Sequence, residues 1–244
     1  MINHINAQSL IPKLDEIKLL IKNEDLDILC INETWIQPNI LDDLISITNY
    51  NVFRNDNPPN FRGSGACIYV KNIRFFTCKK YENIEITDGE PSKGIEDVWV
   101  SIQASKFKSI IVGAVYKHPN TNPDCIAYLE RTLQTYSNYR KNMYMLGDLT
   151  EDLLKVNRLE QILNKLNLYQ LIKEPTRITP RSKTVIDVII TNNRDSVIHA
   201  ETSLSVADYH AVSCTINLIK QRMTTFKIYG RNYANYSPEI FPNS

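Results

Sequence analysis

An apolar helical repeat runs straight into a short, almost unbroken apolar stretch, and this junction restricts the fold more than any other feature of the chain. Leu10, Ile11, Leu14, Ile17, Leu20 and Ile21 recur at helical spacing. Ser9 is placed to cap the helix, and Pro12 falls in the first turn, where its missing N–H is tolerated. The stretch that follows, LDILCIN at residues 26–32, is apolar on successive residues, as suits a strand covered on both faces. Glu33 comes directly after it.

Further apolar runs predict strands at residues 66–70, 75–79, 98–103, 110–116, 143–146, 185–191 and 211–216, with helices near 124–136 and 156–166. Strands pair as hairpins in the middle and alternate with helices at both ends, a pattern of two packed sheets with helices outside. Polar, proline-bearing stretches at 55–65, 117–122 and 173–183 read as surface loops. After Leu218 the chain turns basic and tyrosine-rich (KQRMTTFKIYGRNYANYSPEIF) without apolar periodicity. The expected organisation is one domain over residues 1–218 and a tail or linker over 219–244.

A formal net charge of +1 gives no chain-wide attraction for nucleic acid, so any such contact must come from a local patch. The five cysteines include no CxxC pair and lie mostly in apolar runs, which reads as buried thiols of an intracellular protein. No run approaches the ~18 apolar residues of a membrane span, and the N-terminus lacks the pattern of a secretory signal. Membrane and secretory roles are therefore not expected.

Polar residues recur where predicted strands stop: Asn6, Glu33, Asp148 in LGDL, Asp187 in VIDVI and Asp208 in VADYH. One such residue is an ordinary loop acid. Several together can converge on one crevice and offer a hard divalent cation oxygens from different segments, which implies phosphoryl transfer or phosphodiester hydrolysis. Trp35 and Trp99 are expected in the core. His4, His118 and His199 are expected in solvated or core positions.

The ordered phrases INAQSL, LDILCINETW, VYKHP, YMLGD, KTVIDVIITN and ADYHAV resemble the endonuclease/exonuclease/phosphatase superfamily over roughly residues 2–216. Within it the chain is most similar to the apurinic/apyrimidinic-type endonucleases of non-LTR retrotransposons. The resemblance implies an α/β fold of deoxyribonuclease I type, a four-layer sandwich of two mixed sheets flanked by helices. It implies Mg²⁺, with Mn²⁺ as a substitute, held by Asn6, Glu33 and Asp208. Tyr116 would contact the phosphate, Asp148 would position or deprotonate the attacking water, and Asp187 would orient the catalytic His. Ser182 and Thr184 would lie beside the DNA with Arg177, in a loop that also carries Arg181 and Lys183, and Glu96 would support the site from a neighbouring strand. The implied partner is double-stranded DNA and the implied setting the nucleus. The chain is expected to be a monomer, without the reverse transcriptase region of a parent element.

Two departures from the family pattern stand out. Thr150 replaces the Asn of GDFN, a shorter side chain with one donor instead of two. The closing SDH reads Ala207, Asp208, Tyr209, His210, as though His and its successor had exchanged places, and a one-residue shift along a strand reverses a side chain's direction. The expected activity is Mg²⁺-dependent nicking of target-site DNA, weakened or lost in this copy. The alternatives are a non-catalytic nucleic-acid-binding or interaction module and a phosphatase of the same superfamily.

Overall fold

The computed structural model describes residues 1–56, 63–73, 76–81, 94–119, 121, 125–139, 141–150, 152–153, 158–204 and 210–220, with Leu204 and His210 described by backbone alone. The chain begins with β1 (Ile2–Asn6), a 3-10 turn at Ile11–Lys13, α1 (Leu14–Glu24) and β2 (Ile28–Asn32). A second 3-10 turn at Asp42–Ile45 leads to β3 (Tyr50–Asn55), β4 (Ala66–Lys71) and β5 (Phe76–Lys80). Next come β6 (Ile95–Ala104), β7 (Ile110–Lys117), α2 (Cys125–Asn138), β8 (Asn142–Asp148), α3 (Arg158–Lys165) and β9 (Tyr169–Gln170). A short hairpin of β10 (Arg177–Thr179) and β11 (Ser182–Thr184) precedes β12 (Asp187–Thr191), β13 (Val197–Leu204) and β14 (His210–Ile216).

Twelve of these strands form two six-stranded sheets, ordered β13-β14-β1-β2-β4-β3 and β5-β6-β7-β8-β12-β9. Each is mixed, with β1 parallel to β2 in the first and β7 parallel to β8 in the second. The sheets pack face to face, with β14 over β12, β1 over β8, β2 over β7 and β4 over β6. Alternation along each strand builds the layers. Cys30, Ile68, Val112, Ala114, Leu146 and Ile189 point between the sheets. Their neighbours Ile111, Val115, Met143 and Met145 point outward beneath Leu129 and Leu133 of α2 and Ile162 of α3. On the other side Leu29, Ile31 and Tyr69 lie beneath Ile17 and Ile21 of α1. β2 is therefore buried on both faces, which is why residues 28–31 are apolar without interruption.

Ser9 does not cap α1. Its φ is 93°, and α1 starts only at Leu14, after the 3-10 turn and without a side-chain cap. The backbone of Ser9 and Leu10 is instead bound to the carbonyls of Glu33 and Thr34, which prolongs the β1–β2 pairing beyond the strands. Strands β3 and β13 lack a strong apolar pattern and went unpredicted, β1 was expected only as a strand stopping at Asn6, and the predicted loop at 173–183 contains most of the β10–β11 hairpin. Trp99 is buried as expected, whereas Trp35 is 41% exposed. Four of the five cysteines are buried, and all five are free thiols. Among the described residues no helix is long and apolar enough to cross a membrane. Lys220 bridges to Phe107, and residues 221–244 of the expected tail lie outside the described residues.

Candidate active site

Strand register assembles the site. At one end of the second sheet Glu96 pairs with Tyr116, Tyr116 with Asp148 and Asp148 with Asp187, so four side chains form a row across β6, β7, β8 and β12. Residues directly opposite on paired strands share a face and stand about 5 Å apart. Each continues the inward set of its own strand, two positions beyond Val98, Ala114, Leu146 or Ile189. The row therefore marks where the apolar interior gives way to polar groups.

Facing it, β1 and β2 end together at Asn6 and Asn32. Beyond them Ala7 N donates to Asn32 O, Ser9 N to Glu33 O and Leu10 N to Thr34 O, each at 2.9 Å. This continuation holds Gln8, Ser9, Glu33 and Trp35 at φ values of 43°, 93°, 51° and 56°. Left-handed backbone is costly for L-residues and persists only where surrounding bonds enforce it. Glu33 is thereby presented to the second sheet. Asn6 Nδ2 donates to Glu33 Oε1 at 2.7 Å and to Asp148 Oδ2 at 3.0 Å, tying the two sheets together. The Tyr116 phenol lines the same cavity as Glu33. Thr150 N donates to Asp148 Oδ1 at 2.8 Å, and Thr150 Oγ1 to Lys117 O at 3.1 Å.

These groups surround a cavity of about 400 Å³ lined by Asn6, Glu33, Tyr116, Asp148, Thr150 and Asp187, together with Arg177, Ile178 and Thr179 of the hairpin. Gln8, Pro119, Thr176 and Ile186 complete the wall. Thr176 Oγ1 accepts the N–H groups of Ile186 and Asp187, which fixes the start of β12.

The carboxylates crowd one another. Burial pushes Asp148 up to about 6, with the Glu33 charge adding to the rise, while Thr150 N, Asn6 and the Arg177 charge oppose it. Asp187 is held well above the usual carboxylate range by burial and then by the Asp148 charge. The pair resists double ionisation. Burial, then the Glu33 and Asp148 charges, raises the Tyr116 phenol, which stays protonated. Behind Asp187 lies His4, fully buried, with Nδ1 3.7 Å from Asp187 Oδ1. Burial pulls His4 down to about 3, partly offset by Asn32, so the imidazole is neutral and this is no ion pair at neutral pH.

Glu96 does not line the cavity; it braces the neighbouring loops. One carboxylate oxygen accepts Gly65 N, and the other lies 3.3 Å from His118 Nε2. The His118 ring packs edge-on against Tyr116, with centroids 4.7 Å apart. His199 is exposed beside Glu201. Ser182 and Thr184 also stand outside the cavity wall, opposite Thr179 and Arg177 in the hairpin. Asp208 and Tyr209 lie outside the described residues; the His210 backbone opens β14, paired with Leu204.

Among the described residues no group of three or more His, Cys, Asp or Glu is arranged as a metal cluster. Glu33 and Asp148 nevertheless bring hard carboxylate oxygens together at an open cavity, with Asn6 Nδ2 between them and Asn6 Oδ1 accepting Gln8 N. Their crowding would be relieved by a cation, so the donors fit one Mg²⁺-like ion completed by water. Sequence reasoning missed Thr176 and His4. Their contacts with Asp187 depend on segments distant in sequence, and no local pattern signals them.

No family model matches the sequence, and no curated protein matches it. Solved structures do. The chain is similar to the endonuclease domain of TRAS1, a telomere-specific non-LTR retrotransposon, at a TM-score of 0.65 and 18% identity, covering 90% of this chain and 98% of that one. It is similar to an endonuclease/exonuclease/phosphatase family protein from Leptotrichia buccalis at 0.65 and 12%, covering 88% and 98%. It is also similar to the 3' phosphatase NExo from Neisseria bound to a product DNA hairpin, at 0.66 and 14%, covering 88% and 98%. Identities this low speak for architecture alone, and the architecture shared with these structures is a sandwich of two mixed sheets flanked by helices.

Proposed function

We propose that this chain is a Mg²⁺-dependent phosphodiesterase that nicks double-stranded DNA, of the kind that non-LTR retrotransposons use to open a target site, with turnover reduced in this copy. The observation carrying the proposal is the Tyr116–Asp148–Asp187 row facing Asn6 and Glu33 across a cavity flanked by Arg177.

Asp148, ionised above about pH 6, is poised to take a proton from a water attacking phosphorus. The P–O bond to the leaving 3'-oxygen breaks, and that oxygen takes up a proton. Tyr116, kept protonated by burial and its acidic neighbours, donates to a phosphate oxygen. Asn6 holds Glu33 and Asp148 at fixed separation, and Arg177 balances the charge of the acidic row. Glu33, with Asp208 and the Asn6 amide oxygen as the other expected ligands once Asn6 turns that oxygen from Gln8 N to the cavity, would hold the Mg²⁺, which when bound neutralises charge on the scissile phosphate. Reduced turnover is proposed because the Thr150 hydroxyl hydrogen is spent on Lys117 O, and because Tyr209 stands where the resemblance expects the imidazole.

The deciding experiment is conversion of supercoiled plasmid to open circle by the purified chain, with Mg²⁺ and with chelator, beside Glu33→Ala and Asp148→Asn. Mg²⁺-dependent nicking absent from both variants is expected. Duplex binding with no nicking at any Mg²⁺ or Mn²⁺ concentration would favour a non-catalytic binding module, and release of phosphate from 3'-phosphorylated oligonucleotides alone would favour a phosphatase.

A further inference from the structure

The segment that carries Glu33 also carries an aromatic residue that the catalytic reading leaves unused. Trp35 is 41% exposed, while Thr34 before it and Ile36 after it are 2% and 0% exposed. Its backbone is fixed on two sides: Trp35 N donates to Ser64 O at 2.8 Å, Thr34 N to Gly65 O at 3.2 Å, and Leu10 N to Thr34 O at 2.9 Å. The residue holds a left-handed φ of 56°. A rigid, strained turn thus keeps a large aromatic side chain partly in solvent, directly after the Glu33 segment. Indoles are usually well buried, and left-handed backbone at a bulky residue is an outlier.

The direction of this rim matters. The row runs from Asp187 on β12 through Asp148 and Tyr116 to Glu96 on β6, and the β10–β11 hairpin with exposed Ile178 stands at the β12 end. Trp35 N is tied to Ser64 O and Thr34 N to Gly65 O, and Glu96 accepts Gly65 N, so the Trp35 backbone stands at the opposite end. Three strand spacings separate β12 from β6, about 14 Å. One strand of duplex DNA advances about 3.4 Å per nucleotide, so the row spans roughly four nucleotides. A strand laid along it with its phosphate at Glu33 and Asp148 meets the hairpin on one side and the indole on the other.

We propose that Trp35 is a base-stacking contact for the nicked DNA strand, taking a nucleobase on the side of the scissile phosphate away from the β10–β11 hairpin. The inference rests on the nuclease reading above and adds to it the residue that grips the second flank. Trp35 reaches a base face by partly unstacking one step of the duplex, and since every base then offers a π-face it sets affinity and strand position with little sequence preference. It contributes no charge, so its loss leaves the salt dependence of binding unchanged.

The chain has two tryptophans, and the other, Trp99, is buried with its ring stacked on Tyr136 at 4.1 Å and its Nε1 bonded to Asp97 Oδ2. Intrinsic emission therefore separates a solvent-facing indole from an enclosed one. The test titrates a labelled duplex oligonucleotide into the full chain in chelator, following label anisotropy and tryptophan emission together, for wild type, Trp35→Phe and Trp35→Ala. Expected are an emission change in wild type that saturates with binding, no such change in Trp35→Phe, and near-wild-type affinity for that variant because a ring remains. Trp35→Ala should bind roughly 5–100-fold more weakly, with an unaltered slope against salt. DNA binding with unchanged emission, or equal affinity for wild type and Trp35→Ala, overturns the inference and leaves the nuclease reading standing. A folded wild-type chain that binds no duplex either in chelator or with non-catalytic Ca²⁺ added overturns the nuclease reading itself, and the inference with it. Emission that shifts with protein concentration and not with DNA would assign the indole to a contact between copies and likewise overturn it.

Discussion

At Thr150 the side chain and the backbone make conflicting demands. Its φ of 52° is left-handed, which costs an ordinary L-residue about 1–2 kcal/mol and which asparagine adopts more readily. Thr150→Asn keeps the N–H bond to Asp148, relieves that strain and places an amide at the cavity edge, while losing a hydroxyl bond worth about 1 kcal/mol. The expected melting temperature changes little, within about 4 °C, whereas nicking rises by up to ~10²-fold. Equal plasmid-nicking rates for the two proteins would show Thr150 to be adequate. Asp148→Asn should move the two properties apart: it removes a carboxylate raised by burial and by Glu33, so the protein melts higher in chelator, yet nicking falls by about 10²–10⁴. A variant that loses stability as well would mark Asp148 as structural. Asn6, Glu33, Tyr116, Asp148 and Asp187 were nameable from sequence because each closes or opens a predicted strand or stands in a recognisable phrase. His4 was not, because what makes it notable is a contact with Asp187 that depends on β1 packing over β8, beside β12.

The element that distinguishes this site's surroundings is the β10–β11 hairpin. Its strands, RIT and SKT, are exposed or half-exposed throughout, so no apolar alternation betrays them, and the proline-bearing sequence around them reads as loop. Strands β3 and β13 were hidden for a related reason, being outer strands of their sheet with weak apolar patterning. Trp35 misled in the opposite way: an aromatic beside the apolar run of β2 is expected to pack inward, but the prolonged β1–β2 ladder turns it out. Arg177 lines the cavity wall from the hairpin and also moderates the charges of Asp148 and Asp187. Arg177→Ala is therefore expected to weaken duplex binding and to lower the slope of log affinity against log salt by about one unit. An unchanged slope, measured by anisotropy over a salt series, would remove the hairpin from the DNA path and leave Arg177 as a charge-balancing group only.

Across the whole molecule, three buried carboxyls, Asp97, Asp148 and Asp187, are raised by burial and give the fold a pH dependence, and a cation should reverse the part of it due to the two at the cavity. Asp148 and Asp187 are both raised, so folding favours their protonated forms. The stability this confers is fully present below the unfolded carboxylate value near 4 and is lost as pH rises through about 6 for Asp148, and through the raised value of Asp187. His4 acts in the opposite sense: lowered to about 3, it contributes stability above the unfolded imidazole value near 6.5, which is lost as pH falls through the interval between the two. The two slopes oppose each other between about pH 4 and 6, so a plain melting curve against pH will not separate them. A divalent cation separates them, because it needs the ionised carboxylates and has no claim on buried His4. Mg²⁺ at ~100 times its dissociation constant stabilises by about 2.7 kcal/mol, which for a domain of this size is roughly 5–11 °C. That rise is expected at pH 7.5, should shrink toward zero at pH 4.5 where protons compete, and should be lost in Glu33→Ala at both values. A Mg²⁺ shift equal at the two pH values, or equal in wild type and Glu33→Ala, would place the cation away from this row and remove the electrostatic basis for assigning it phosphodiester chemistry.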